Sequence, residues 1–169
     1  MNTVLYEVTP NFDFSAFIIP MIMIIVMLVL RWIIKKYYKD HEKKSNLEIV
    51  KNFCRVGVVF VIVWVVIALI AQLYMHSKIV GAYNRGKYQI VEGYVENFDP
   101  MPYSGHANES FEINGIAFSY SDYNKHPGYH NAKSHGGVIK GNGQHLKIGY
   151  VYLNKTYGNI IVYIEQISD

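Results

Sequence analysis

The sequence predicts a membrane α plus all-β protein: two N-terminal transmembrane helices followed by a small five-stranded antiparallel β-barrel-like domain of the OB or SH3 kind. Three observations carry this expectation. Two apolar blocks, residues 16–34 and 56–76, lie in the first half of the chain. A bilayer core about 30 Å thick is crossed by about 20 helical residues rising about 1.5 Å each. Beyond residue 80, short β-type runs alternate with turn residues, and twelve of the thirteen glycines fall there. The chain has 169 residues, 51% of them hydrophobic, with a formal net charge of +3. Its aromatic content of 15% and lack of low-complexity tracts argue against disorder. A single cysteine excludes a disulfide framework and a cysteine-rich zinc site.

Residues 1–15 read as a short exterior tail, with Glu7 and Asp13 and no basic side chain. The first span, 16–34, carries only one charge, Arg31, near its end. Inside a bilayer the backbone must satisfy its own hydrogen bonds, so a run this apolar is helical. Pro20 falls in the early turns, where it costs little. Arg31 and Trp32 suit the far interface. No Lys or Arg precedes the block, and Arg31-Trp32-Ile33-Ile34-Lys35-Lys36 stands where a small-residue cleavage site would follow, so a cleaved signal peptide is not expected.

Residues 31–55 hold Arg31, Lys35, Lys36, Lys39, Lys43, Lys44, Lys51 and Arg55 against Asp40, Glu42 and Glu48. Basic residues flanking a span stay inside, so the loop 35–55 is expected in the cytoplasm, with both termini outside. Attraction to anionic lipid accounts for this basic collar, and no nucleic-acid partner is expected. Ser45-Asn46-Leu47-Glu48 fits a capping box opening the second helix. The second span, 56–76, is free of charge. Trp64 lies at its middle and suits either the other helix or lipid. Cys54, near the cytoplasmic interface, reads as an inert thiol before a palmitoylation site.

Residues 77–86 read as a linker and 87–169 as the β domain, with strands near 87–97, 108–113, 116–122, 144–152 and 158–166. Asn114-Gly115 between β-type runs is a strong hairpin signal. A two-residue turn there pairs Ile113 with Ile116 and Phe111 with Phe118 on one face. Leu146, Ile148, Tyr150 and Tyr152 alternate in the fourth strand. In the fifth, Ile160, Val162 and Ile164 share a face, opposite Ile161 and Tyr163.

Two connections stand out. Residues 98–107 hold Pro100, Met101, Pro102, Gly105 and His106. Residues 123–143 hold five glycines with His126, His130 and His135, and exceed the usual 12–15 residues of an ordinary loop. In simple up-and-down succession both lie at one end, away from the 114–115 and 153–157 turns and from the membrane. His106, His126, His130 and His135 would then converge, with His145 nearby. Imidazoles so placed could hold zinc or a similar transition metal, or respond to pH, although the spacing matches no known ligand motif. No Gly-x-Ser-x-Gly, P-loop or Gly-x-Gly-x-x-Gly pattern occurs. Glu92, Glu96, Glu109 and Glu112 read as solvated strand positions. No catalytic residue and no bound cofactor is expected.

Glu92-Gly93-Tyr94-Val95-Glu96-Asn97-Phe98, Pro100-Met101-Pro102, Gly105-His106, Glu109-Ser110-Phe111, Phe118-Ser119-Tyr120-Ser121-Asp122, Pro127-Gly128 and Ser134-His135-Gly136-Gly137 carry a resemblance. Over roughly a third of its length, residues 91–150, the chain resembles a family of uncharacterised bacterial two-helix membrane proteins with a C-terminal small β domain. It departs at Val138-Ile139, where the family pattern has Pro-Ile, and at Leu146-Lys147-Ile148, where it has Val-Arg-Ile. The resemblance implies no particular activity, but it singles out the same two loops. The expected role is a non-enzymatic binding or accessory module in a bacterial inner membrane. Its partner is another membrane or envelope protein, or a second copy. Contact would run through Pro100, Met101, Pro102, His106, Pro127, Gly128, His135, Gly136 and Gly137. Metal or pH sensing through the loop histidines is the alternative, and a membrane-bound enzyme the third reading.

Overall fold

The computed structural model describes residues 2–10, 14–37, 44–105 and 107–168. The chain divides into two compact units, residues 12–72 and residues 1–11 together with 73–169. His106, the side chains of Lys44, Ser45, Asn46 and Leu47 and the charges of Asp13, Lys39, Asp40, Glu42 and Lys43 lie outside the described residues.

The helical unit is built from α1 (Ser15–Tyr37) and the greater part of α2 (Lys44–Asn84). Both contain stretches long and apolar enough to cross a membrane, Ser15–Lys36 and Glu48–Asn84. Only 11% and 6% of their most apolar windows are buried, whereas a soluble core helix would be largely covered. α1 continues through Pro20. Gly57 permits a close approach of the two helices, because a Cβ there would lie 3.0 Å from the Met27 sulfur. Trp64 is half exposed, and Cys54 is buried. At the end of α1, the Lys36 ammonium sits 4.8 Å from the Trp32 ring centre.

The β unit contains seven strands in two antiparallel sheets, and no closed barrel forms among the described residues. They are β1 (Thr3–Glu7), β2 (Gln89–Tyr94), β3 (Glu96–Asp99), β4 (Glu109–Ile113), β5 (Ile116–Tyr120), β6 (His145–Asn154) and β7 (Gly158–Gln166). One sheet has the order β1-β7-β6-β2 and the other β3-β4-β5. Two local events raise the count from the expected five. The segment expected as a tail supplies β1, pairing Thr3 with Gln166 and Glu7 with Tyr163 around a bulge at Leu5. The first expected strand divides at Val95. There the backbone bonds to Gln144 and Gly143 at 3.0 and 2.9 Å, and the left-handed Asn97 (φ 51°) carries the chain into the second sheet.

The β4–β5 hairpin has the expected register, Ile113 with Ile116 and Phe111 with Phe118. Asn114 and Gly115 are both left-handed, with φ of 49° and 77°, as a type I′ turn requires. Phe111, Ile113, Phe118 and Tyr120 pack with Leu146, Ile148, Ile161 and Ile164 in the main core. A second cluster joins Val8, Ile160 and Val162 to Ile79 and Val80 of α2. The expected linker 77–86 is therefore helical as far as Asn84, and part of it is core. A bulge also corrects the face assignment in β7. Gly149 pairs with Tyr163 and Tyr150 with Ile161, leaving Val162 over. The parity changes there, so Ile164 joins Ile161 rather than Ile160 and Val162.

Candidate functional site

β4 places Glu109, Phe111 and Ile113 at alternate positions on its buried face. Glu109 is therefore fully buried, not solvated as expected. Its carboxylate accepts the Tyr120 hydroxyl at 2.6 Å, the Lys133 N–H at 3.0 Å and the Met101 N–H at 3.5 Å. Burial, followed by this bond to Glu109, pushes the Tyr120 phenol far up, so it remains a donor. Just beyond β5, Asp122 accepts the Ala132 N–H at 2.6 Å on one oxygen and pairs with His135 Nδ1 on the other.

These two carboxylates tie the 98–107 and 123–143 connections to the hairpin and to each other. Met101 is held through Glu109, and Lys133 through the same group. The Ser121 hydroxyl also points at the Met101 sulfur, at 3.5 Å. The buried Tyr129 accepts the Val138 N–H at 2.7 Å, and its ring meets Tyr120 edge-on at 5.2 Å. Burial pushes its phenol up to about 12. A short 3₁₀ turn, Lys133–His135, is closed by Gly136 in the left-handed region (φ 92°). Gly137 donates to the Ala132 carbonyl at 2.9 Å, and a Cβ there would overlap the Asn131 carbonyl oxygen. The outer surface of this platform carries Tyr103, 80% exposed, and Tyr123, 61% exposed. Tyr103 lies 5.4 Å from the His135 ring, and Tyr123 covers Gly105.

The expected contact residues separate into two groups. Pro100, Pro102, His135 and Gly136 are exposed. Met101, Gly128 and Gly137 are buried and serve packing instead. A Cβ on Gly128 would overlap the Ile160 side chain. Pro127 is half-buried, and its carbonyl accepts the Tyr6 hydroxyl at 3.1 Å.

The described histidines do not converge as expected. His126 and His130 are neighbours, with ring centres 5.7 Å apart, while His135 belongs to Asp122 and His145 stacks on Tyr94 at 4.5 Å. Among the described residues, no three His, Cys, Asp or Glu side chains form a group able to hold a metal. His126 Nδ1 accepts the Gly128 N–H at 3.2 Å, which places the ring proton on Nε2 and leaves no lone pair for a cation. Burial, then the nearby His130, pushes His126 down to about 4. The separation of loop ends also needs correction. His126 reaches Tyr157 in the β6–β7 turn at 6.3 Å between ring centres, so part of the 123–143 segment lies beside that turn.

Asp122 and Glu109 are the organising groups that the residue pattern alone did not single out. Glu109 shares its strand parity with Phe111 and Ile113, and that signal was present. No protein family, curated protein or solved structure was found to match this chain.

Proposed function

We propose that this protein is a membrane-anchored, non-enzymatic binding or accessory module of a bacterial inner membrane. Its β unit stands outside the cytoplasm and contacts another envelope protein through the 98–107 and 123–143 connections. The observation that carries the reading is the platform pinned by Glu109 and Asp122, with Tyr103 and Tyr123 displayed on it. Pre-ordered loops lose little entropy on binding. Exposed tyrosines are the side chains from which interface hot spots are commonly made. The pairing of β1 with β7 supports a common side for both ends of the chain, since α1 and α2 lie between them in sequence. The basic 35–55 loop supports the cytoplasm as the opposite side.

The test is affinity capture of the tagged chain from mild detergent, beside the Tyr103→Ala/Tyr123→Ala double variant. Both residues are surface groups, so the variant is expected to fold. It should lose a specific partner by at least tenfold. Equal recovery by both proteins, or recovery of no specific partner, contradicts the reading.

A further inference from the structure

The two sheets leave four edges, blunted to different degrees. β1 is bulged at Leu5. β2 has the Glu92 carbonyl occupied by the Asn114 amide at 2.7 Å. β3 is irregular between Glu96 and Asp99, both carboxylates. β5, Ile116-Ala117-Phe118-Ser119-Tyr120, is regular and carries neither charge nor proline, the usual protections of an edge.

Its hydrogen-bonding direction follows from the hairpin. A two-residue turn makes Ile113–Ile116 a bonded pair, and bonded pairs recur at every second residue. Ile116, Phe118 and Tyr120 therefore bond to β4, while the N–H and C=O groups of Ala117 and Ser119 point outward. The Asn159 amide donating to the Ala117 carbonyl at 3.0 Å confirms that direction.

Those outward groups border a cleft of about 390 Å³ between β5, the β6–β7 turn and the 124–126 segment. Three carboxamides stand in its wall, Asn108, Asn124 and Asn159. Asn108 uses its NH₂ on Ser119 Oγ, and Asn124 uses its oxygen on the Ser121 N–H. Each thereby retains the complementary half of its amide, as a peptide backbone with alternating donors and acceptors demands. The lining contains one lysine, Lys155, and no carboxylate. Its histidine, His126, accepts the Gly128 N–H and faces His130 and Tyr157.

We propose that this seam is a docking groove for an extended, acidic peptide segment of a partner protein, which adds to the outer edge of β5 as a further strand of the second sheet. Backbone bonds to the Ala117 N–H and to the N–H and C=O of Ser119 supply the affinity, the Ala117 carbonyl being held by Asn159, and Lys155 selects an Asp or Glu side chain. The groove rests on the binding-module reading only in requiring a protein partner. Two of its lining residues, Asn124 and His126, belong to the 123–143 connection, and neither Tyr103 nor Tyr123 is among the lining.

A phage-displayed library of random dodecapeptides, panned on the full chain in nanodiscs, tests it. Enriched peptides should carry Asp or Glu. Their binding should fall at least tenfold with Ala117→Pro, which removes an outward N–H and leaves the pairing to β4 intact. It should also fall several-fold with Lys155→Glu on the exposed turn, and on N-methylation of the peptide backbone. Should Ala117→Pro fail to fold, the last two comparisons decide. No enrichment over empty nanodiscs overturns the groove, as does binding unchanged by Lys155→Glu and N-methylation. Binding of tri-N-acetylchitotriose at the Ala117 and Ser119 amides in place of peptide overturns it too. Any of these results, with the Tyr103/Tyr123 capture intact, removes the groove and leaves the module reading standing.

Discussion

Glu109 receives a phenol and two backbone N–H groups while fully buried, so every neighbour that meets its carboxylate is a donor. Glu109→Gln sets an NH₂ against one of those donors. Losing charge-assisted bonds of this kind costs about 2–3 kcal/mol. Thermal unfolding of the purified chain should show a clear drop in Tm, and an unchanged Tm would contradict this role. His126 makes a different prediction. Its folded value of about 4 lies below the ordinary 6.5. The unfolded chain therefore binds the extra proton first. The stability supplied by neutral His126 is complete above about pH 6.5 and declines as pH falls toward 4, by at most about 3 kcal/mol. His126→Asn keeps an acceptor for the Gly128 N–H but does not titrate. Its Tm should vary less than that of the parent protein across this window, and parallel profiles would refute the assignment. The burial of Glu109 was legible in its parity with Phe111 and Ile113. The role of Asp122 was not, because its partners Ala132 and His135 are reached through a turn whose path depends on Gly136 and Gly137.

Among the elements, the β4–β5 hairpin was fully legible, since Asn-Gly fixes both the turn and the register. β1 was not. A five-residue segment before an apolar span looks like a tail, and its partner β7 lies at the other end of the chain. Nor does residue pattern reveal a bulge such as that at Val162, which adds one residue and reverses the faces beyond it. Removing residues 2–7 should uncover the β7 edge and break the Tyr83–Glu7 bond of 2.7 Å. Limited proteolysis should then cut the β unit faster, whereas unchanged protection would show that β1 adds nothing. Tyr83→Phe alone removes one exposed hydrogen bond and should cost no more than about 1 kcal/mol.

For the whole molecule, the two apolar blocks were legible as long helices, because about 20 apolar residues have few other uses. The barrel was not, since closure depends on where strands split and on which edges meet, and Val95 diverts the chain from one sheet to the other. Pairing of β1 with β7 predicts a common side for residues 3 and 155. In a Cys54→Ser background, Thr3→Cys and Lys155→Cys should both react with an impermeant maleimide on intact cells. Ser45→Cys should react only after lysis. Labelling of residues 3 and 155 on opposite sides would refute the paired sheet. The most direct measurement is photocrosslinking in living cells from a benzoylphenylalanine at position 103, compared with one at the exposed position 84. A discrete crosslinked partner is expected from position 103 and absent from position 84. No adduct from 103, or the same adduct from both positions, would contradict the binding-module reading.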